Sequence, residues 1–181
     1  MRRAADPVST EVLLKTRLFW VERREYAGAE GACGFTREVV VHPGAVVILP
    51  LLDAGRIVMI HNVRHGVGRE LLELPAGTLE PDEVPIVTAG RELVEETGYR
   101  ASRLDPLAEF FMSPGILSER MHAFIAQDLT WVGQALEAGE HIRTEIVDIP
   151  TVRAWMRDGR IEDAKTLAAL GVYFARMTAV D

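Results

Sequence analysis

The chain has 181 residues, of which 48% are hydrophobic and 26% are charged, which is typical of one globular domain with a sizeable core. Its formal net charge of −7 argues against a nucleic-acid partner, because nucleic-acid-binding surfaces are built from clustered basic residues. The single cysteine, Cys33, excludes an internal disulfide framework and favours a reducing compartment. No apolar run approaches the roughly 20 residues of a membrane span, and the start, MRRAADPVSTEV, lacks the apolar segment of a signal peptide. These features predict a cytoplasmic protein without a membrane partner.

The N-terminal residues 1–43 predict a strand region of their own. Residues 12–25 mix apolar and basic side chains, as a strand or hairpin does, and the small, glycine-rich residues 27–34 predict a turn. Residues 36–41 predict a further strand. The segment is therefore expected to form an antiparallel ribbon, which the breaker His42-Pro43-Gly44 ends.

A buried strand is predicted next, at residues 45–52, because AVVILPLL is a continuous apolar run. A turn at residues 53–55 and a strand at residues 56–63 follow. Residues 71–74 then lead into the most informative stretch of the chain.

That stretch contains a predicted helix with acidic side chains on one side. At 100° per residue, an apolar arc of about 160° is filled by Ile86, Val87, Ala89, Gly90, Leu93, Val94 and Thr97. Glu92, Glu95 and Glu96 fall on the opposite arc. Such like charges repel one another on a bare helix, whereas a divalent cation reverses the sign because hard ions take carboxylate oxygens and bridge to phosphates. A solvated acidic face is the alternative that the helix alone leaves open.

The remaining chain predicts further strands and two closing helices. In order, we expect a strand at residues 107–111, a turn at Ser113-Pro114-Gly115, a strand at 121–127, an acidic loop at 133–141, a strand at 142–149, a helix at 150–157 ended by Gly159, and a helix at 163–176. One helix among strands, with helices at the end, predicts an α/β fold in which a mixed sheet is covered on two sides.

The residues around the acidic helix complete a longer pattern. Gly77 is followed after five residues by Glu83 and, after seven more, by RELVEETGY at residues 91–99. This stretch resembles the Nudix box, and every fixed position of that box is matched. The resemblance extends over residues 36–174 and implies an α/β/α sandwich at residues 44–181. It also implies magnesium-assisted hydrolysis of a nucleoside diphosphate linked to another group.

The resemblance implies roles for the residues of the box. Glu92 and Glu96 would be the principal Mg²⁺ ligands (Mn²⁺ being the alternative ion), and Glu95 a further ligand or the holder of a metal-bound water. The carbonyl of Ala76 or Gly77 would complete the shell. The structural positions of the box would be Gly77, Glu83, Arg91 and Gly98, with an ion pair between Arg91 and Glu83 that orients the helix. A degenerate, non-catalytic copy is the alternative.

Residues outside the box resemble one subfamily. The lead-in Glu73-Leu74-Pro75-Ala76-Gly77, and Pro114 sixteen residues beyond Gly98 with Glu119 following, are similar to the ADP-ribose pyrophosphatases and their nucleotide-sugar relatives. His61-Asn62-Val63-Arg64 departs from the Arg-Gln-Tyr or Arg-Gln-Phe lead of close relatives. This departure leaves the choice between ADP-ribose and another sugar nucleotide open.

Substrate contacts are implied for two arginines and one glutamate. Arg37 and Arg64 would contact phosphates or the terminal ribose, because an arginine fork suits phosphate oxygens. Glu73 would accept a hydrogen bond from a sugar hydroxyl or support the metal shell. For each arginine, a solvated surface charge is the alternative.

The general base is expected on a loop before a strand that reads Glu-x-Ile. Glu140-His141-Ile142 matches, and Glu140 is favoured over Glu137. Two solvated loop charges are the alternative.

The N-terminal ribbon is implied to bind the nucleobase and to exchange between the subunits of a homodimer. Phe19 and Trp20 are the candidates for stacking on the base. Neighbouring residues of a strand face opposite ways, so at most one of the two lines the pocket.

Three hypotheses follow from these observations. The first is hydrolysis of ADP-ribose to AMP and ribose 5-phosphate. The second keeps the chemistry with another substrate, such as GDP-mannose or ADP-glucose. The third is a module that senses ADP-ribose without turnover.

Overall fold

The computed structural model describes residues 5–28, 34–136 and 139–178. No helix in these ranges has both the length and the apolar character that a membrane span needs. The chain forms two compact units, which are Met1–Gly44 with Phe111–Arg120, and Ala45–Phe110 with Met121–Asp181. The sequence predicts a division after residue 43, but it gives no sign that residues 111–120 join the first unit.

The first unit is built on a three-stranded antiparallel sheet in the order β1-β2-β3. Its strands are β1 (Ser9–Lys15), β2 (Trp20–Tyr26) and β3 (Phe35–Val41). The hairpin turn between β1 and β2 is closed by Thr16, whose hydroxyl accepts the N–H of Phe19 at 3.0 Å and donates to the Phe19 carbonyl at 2.6 Å. The N-terminal antiparallel ribbon expected from the sequence is therefore confirmed.

Residues 111–120 attach to the last strand of this sheet. The N–H of Val40 donates to the Ile116 carbonyl at 2.8 Å, and the N–H of Ser118 donates to the Val40 carbonyl at 2.9 Å. The Ser118 hydroxyl also accepts the N–H of His42 at 3.0 Å. These bonds make the segment that contains Pro114 part of the first unit.

The second unit contains a four-stranded sheet, β7-β4-β9-β8, and a three-stranded sheet, β10-β5-β6. The strands are β4 (Ala45–Pro50), β5 (Arg56–Arg64), β6 (Arg69–Glu73), β7 (Ala76–Thr78), β8 (Tyr99–Phe111), β9 (Arg120–Trp131) and β10 (Ile142–Asp148). The four-stranded sheet is mixed, because β4 runs parallel to β9 and antiparallel to β7. Every residue of β4 is buried, as its apolar run predicts. The predicted α/β class with a mixed sheet is confirmed.

The described residues of this unit include three helices, two of which begin at an aspartate that caps the helix. They are α1 (Pro85–Thr97), α2 (Ile149–Asp158) and α3 (Ala164–Met177). Asp148 caps α2 through the N–H of Thr151 at 2.8 Å, and Asp163 caps α3 through the N–H of Thr166 at 3.0 Å. Side-chain oxygens at these positions satisfy N–H groups that have no partner inside the helix.

The buried face of α1 is rotated relative to the apolar arc that the sequence predicts. Ile86 and Val87 are exposed, whereas Thr88 and Glu96 are buried. The helix packs through Ala89 and Leu93 on a core cluster of Val46, Ile48, Phe124 and Ala126. Ile86 and Val87 lie in the first turn, where both are exposed. The buried side of the helix includes Glu96. The alternative of a solvated acidic face is therefore wrong for Glu96.

Two helix C-caps allow a matched test of packing at the end of α1. Gly98 and Gly159 both have left-handed backbones, with φ of 76° and 80°. A Cβ on Gly98 would lie 2.5 Å from the Trp131 ring, whereas a Cβ on Gly159 would meet nothing within 4 Å.

We expect Gly159→Ala to lower the free energy of unfolding by about 1 kcal/mol, for the backbone alone. Gly98→Ala should lower it by about 3 kcal/mol, because the clash is added to the same backbone cost. Urea unfolding measures both. Equal losses would show that Trp131 moves away freely.

Candidate active site

The site is centred on two carboxyl groups that α1 presses against β7. A Cβ on Gly77 would lie 1.9 Å from both Cδ and Oε1 of Glu92, so only a glycine leaves room for this carboxyl group. Glu96 Oε2 accepts the N–H of Ala76 at 2.8 Å. Strand β7 and helix α1 therefore meet through these two side chains.

Both carboxyl groups resist ionisation where they lie. Burial raises the pKa of Glu92 to about 7 and that of Glu96 to about 8, from a usual value of 4.5. The Arg91 charge opposes the shift of the Glu92 pKa, and the Ala76 N–H opposes that of Glu96, but the Glu140 charge raises both. The positive charge around the two groups therefore does not offset the cost of ionising them where they lie.

Arg91 joins the helix to the loop before it. Its Nη1 lies 2.8 Å from Glu92 Oε1 and 2.9 Å from Glu95 Oε2, and its Nη2 lies 3.2 Å from Glu83 Oε2. Desolvation alone would lower the pKa of Arg91, but the hydrogen bond to Glu83 and the charge of Glu92 outweigh it and raise that pKa. The guanidinium group is therefore held in its charged form by three carboxylates.

The glutamate carboxylates of α1 are oxygen donors of the kind that a hard divalent cation prefers. Their present arrangement does not form a complete coordination shell. Within the described ranges, no group of three or more His, Cys, Asp and Glu side chains is placed to hold a metal ion. Arg91 Nη1 contacts Glu92 Oε1 and Glu95 Oε2, so a metal held by these glutamates either uses their other oxygens or displaces the guanidinium group. The oxygen-only donor set, its burial and the space at Gly77 suit Mg²⁺. The ligand set of Ala76, Glu92, Glu95 and Glu96 stays a prediction.

Two residues of the acidic loop, Gln134 and Ala135, are fixed to the C-terminus of α1. Gln134 Nε2 donates to the Glu96 carbonyl at 2.6 Å and to the Ile142 carbonyl at 3.4 Å. The N–H of Ala135 also donates to the Glu95 carbonyl at 3.1 Å. Glu140 lies near the end of this loop, and its charge acts on the site, whereas Glu137 lies outside the described residues. Sequence reasoning missed Gln134, because a lone amide in an acidic loop carries no motif.

A second buried charge cluster lies at the end of β6. Glu73 is fully buried, and its two oxygens accept Nε and Nη2 of Arg64 at 2.8 and 2.7 Å. Lys165 Nζ lies 2.5 Å from Glu73 Oε2 and 2.9 Å from Asp163 Oδ1. The hydrogen bond to Glu73 raises the pKa of Arg64, whose charge in turn opposes the raised pKa of Glu96.

The sequence singled out Arg64 and Glu73 separately and missed both their pairing and Lys165. The available signal was a lysine in the otherwise apolar start of α3, AKTLAAL. The complete burial of Glu73 favours a role in holding Arg64 over direct contact with a sugar hydroxyl.

The first unit contains a cavity of about 440 Å³. It is lined by Arg24, Tyr26, Arg37, Val39, Phe111, Pro114, Gly115, Ile116, Leu117 and Ser118. Tyr26 stacks on Phe35 with ring centroids 5.1 Å apart, and the Arg37 guanidinium lies 4.8 Å from the Phe35 ring centre. The structure therefore brings the predicted Arg37 and Pro114 together with an aromatic ring that the sequence reasoning did not select.

Three other predicted contacts lie apart from the described lining of this cavity. Phe19 closes the β1–β2 turn through its backbone, and Trp20 donates its Nε1–H to Glu22 at 2.6 Å. The Glu119 carboxylate lies 3.8 Å from His42 Nδ1, which accepts the N–H of Gly44. Tyr26 and Phe111 are the aromatic residues of the cavity, in place of Phe19 and Trp20.

The sequence of the chain is similar to those of known proteins. The model of the NUDIX domain matches residues 41–170. The chain is 39% identical over 136 residues to an ADP-ribose pyrophosphatase of Bacillus subtilis (strain 168), covering 74% of each chain. It is 36% identical over 168 residues to an ADP-ribose pyrophosphatase of Mycobacterium tuberculosis (strain ATCC 25618 / H37Rv), covering 92% of this chain and 81% of that one.

A solved structure shares the fold. The crystal structure of an ADP compounds hydrolase superposes with a TM-score of 0.83 at 24% identity, covering 99% of this chain and 98% of that one.

The raised pKa values predict how the metal-free protein responds to pH. A carboxyl group whose pKa is higher in the folded than in the unfolded chain destabilises the fold as pH rises through the interval between the two values. For Glu96 that interval runs from 4.5 to about 8. We expect Glu96→Gln to raise the melting temperature in EDTA at about pH 9 and to change it little at about pH 4.

The exposed Glu80 provides the control, and Glu80→Gln should leave the melting temperature unchanged at both pH values. Differential scanning calorimetry measures all three proteins. A Glu96→Gln variant less stable than wild type at the higher pH would show that the ionised carboxylate is well compensated within the fold.

Proposed function

The chain belongs to the Nudix hydrolase family, and on this premise we propose that it hydrolyses the diphosphate bond of ADP-ribose to AMP and ribose 5-phosphate. The observation that carries the proposal is the pair of the half-buried Glu92, which fills the space at Gly77, and the buried Glu96 beside it. Two ADP-ribose pyrophosphatases among the relatives support the choice of substrate.

Magnesium is the proposed cofactor, with Mn²⁺ as a substitute. Glu92 and Glu96 would hold it, and Glu95 and the Ala76 carbonyl would complete the shell. When bound, the ion neutralises the diphosphate and lowers the pKa of water. Arg91 stays paired with Glu83 and keeps α1 in place while its Nη1 releases a glutamate.

Glu140 is the proposed general base. It takes a proton from the attacking water, whose oxygen bonds to one phosphorus while the bridging P–O bond breaks. The bridging oxygen leaves with the other phosphate. The charge of Glu140 acts on both Glu92 and Glu96, which supports this role because it puts the carboxylate near the metal-binding groups.

The first unit is proposed to bind the nucleoside end of the substrate. Its cavity offers two guanidinium groups, Arg24 and Arg37, beside Tyr26. A flat ring suits stacking on a nucleobase, and a guanidinium group suits phosphate or ribose oxygens. Tyr26 replaces Phe19 and Trp20 as the stacking candidate.

A homodimer in the cytoplasm completes the proposal. Val12 and Leu14 of β1 are 56% and 53% exposed, and Leu13 is 41% exposed. An apolar strand of this kind suits burial against a second copy of the chain. Sedimentation velocity tests the pairing, and a monomer at micromolar concentration would contradict it; cell fractionation tests the location.

The function is tested by a substrate panel with Mg²⁺, in which ADP-ribose, ADP-glucose and GDP-mannose are compared by released products. We expect ADP-ribose to give the highest kcat/KM and to yield AMP. Preference for another sugar nucleotide would keep the box chemistry and reject ADP-ribose. Binding of ADP-ribose without any turnover would reject hydrolysis in favour of sensing.

The base is tested by Glu140→Gln, for which we expect kcat to fall about 10²- to 10⁴-fold, the usual contribution of a general base, with little change in KM. Glu137→Gln is the matched control from the same loop and should keep near-full activity. A loss of kcat in the Glu137 variant alone would move the base to that residue.

A further inference from the structure

Lysine is rare in this chain, and one of its lysines is buried. The sequence has 20 lysine and arginine residues, of which only Lys15 and Lys165 are lysines. Lys165 is 8% exposed. A charged side chain is seldom buried unless it is paired, so this position calls for a physical explanation.

Lys165 is held in a fixed geometry at the start of α3. Its Nζ lies between Glu73 Oε2 and Asp163 Oδ1, at 2.5 and 2.9 Å. Asp163 is itself fixed as the cap of α3 through the N–H of Thr166. The Thr166 hydroxyl accepts the N–H of Leu74 at 2.8 Å, next to Glu73 in the chain. The first turn of α3 is thereby docked on the end of β6.

The ammonium group changes the charge that Arg64 presents. Glu73 contacts Arg64 through Nε and Nη2, which leaves the Nη1 edge of the guanidinium group directed away from the carboxylate. With Arg64 as its only partner, a fully buried carboxylate would cancel most of the guanidinium charge. Lys165 supplies a second cation on Glu73 Oε2 and pairs with Asp163 as well, so Arg64, Glu73, Lys165 and Asp163 together have no net formal charge. Loss of Lys165 would make this cluster negative and weaken the attraction of Arg64 for an anion.

We propose that Lys165 is a positioning residue that acts through Glu73 to keep Arg64 oriented and only partly neutralised for the substrate diphosphate. The proposal rests on the proposed function, since it assumes a diphosphate ligand. A compact ammonium group serves here better than a guanidinium group, because one point charge fits between two oxygens in a buried space.

The test measures binding and turnover of ADP-ribose in Lys165→Met, with Lys15→Met as the control for loss of an exposed lysine. Isothermal titration with Mg²⁺ in a Glu140→Gln background, where turnover is expected to be slow, gives Kd, and steady-state kinetics with Mg²⁺ gives KM and kcat. We expect Kd and KM to rise about tenfold in Lys165→Met while kcat changes less than about threefold, as for loss of an interaction shared by the ground and transition states. A purely structural role would lower the melting temperature and leave Kd and KM of the folded protein unchanged, and that result would overturn the proposal.

A double-mutant cycle decides whether Glu73 transmits the effect. In a Glu73→Gln background, adding Lys165→Met should change Kd less than about twofold, because the carboxylate that links Lys165 to Arg64 is gone and the ion pair that Lys165 keeps is with Asp163. A further tenfold rise there would overturn the proposal, and this comparison remains available if Lys165→Met alone does not fold. Failure of wild-type protein to bind or hydrolyse ADP-ribose would instead reject the proposed function.

Discussion

The site depends on two carboxyl groups that are held between α1 and β7, Glu96 buried and Glu92 half-buried. Gly77 gives Glu92 the space it occupies, and the Ala76 N–H fixes Glu96. Burial of acidic groups without a full complement of positive charge opposes folding and raises their pKa values. The fold accepts this cost because Ala89 and Leu93 bury the neighbouring face of the helix in the core. A cation that binds here therefore displaces protons and stabilises the ionised carboxylates, which the protein alone compensates only in part.

The positively charged side chains around this pair are themselves paired with other carboxylates. Arg91 links Glu92 and Glu95 to Glu83, so it holds the helix while it competes with a metal for two ligands. Arg64 reaches the same region from β5, but Glu73 holds one edge of it and Lys165 offsets Glu73. The arrangement leaves a site that attracts cations first and, once cations are bound, a polyanionic substrate.

Local features of the chain were predictable from sequence, and long-range ones were not. The Gly77-to-Tyr99 pattern, the apolar β4 and the end of α2 at Gly159 are set by neighbouring residues, so spacing and periodicity predict them. The burial of Glu96 and the partners of Glu73 depend on contacts between residues that are far apart in the sequence. Ala76 and Glu96 are separated by 20 positions, and Glu73 and Lys165 by 92 positions. The choice of Tyr26 over Trp20 for the cavity likewise depends on how residues 111–120 pack on β3.

The most direct test is the position of Mn²⁺ in crystals of the protein soaked with that ion, read from its anomalous scattering. We expect a peak coordinated by Glu92 and Glu96, lost in Glu96→Gln, with Arg91 turned away from one of its glutamates. Full activity together with a Mn²⁺ peak elsewhere, or with none at these carboxylates, would contradict the assignment of this pair as the metal site.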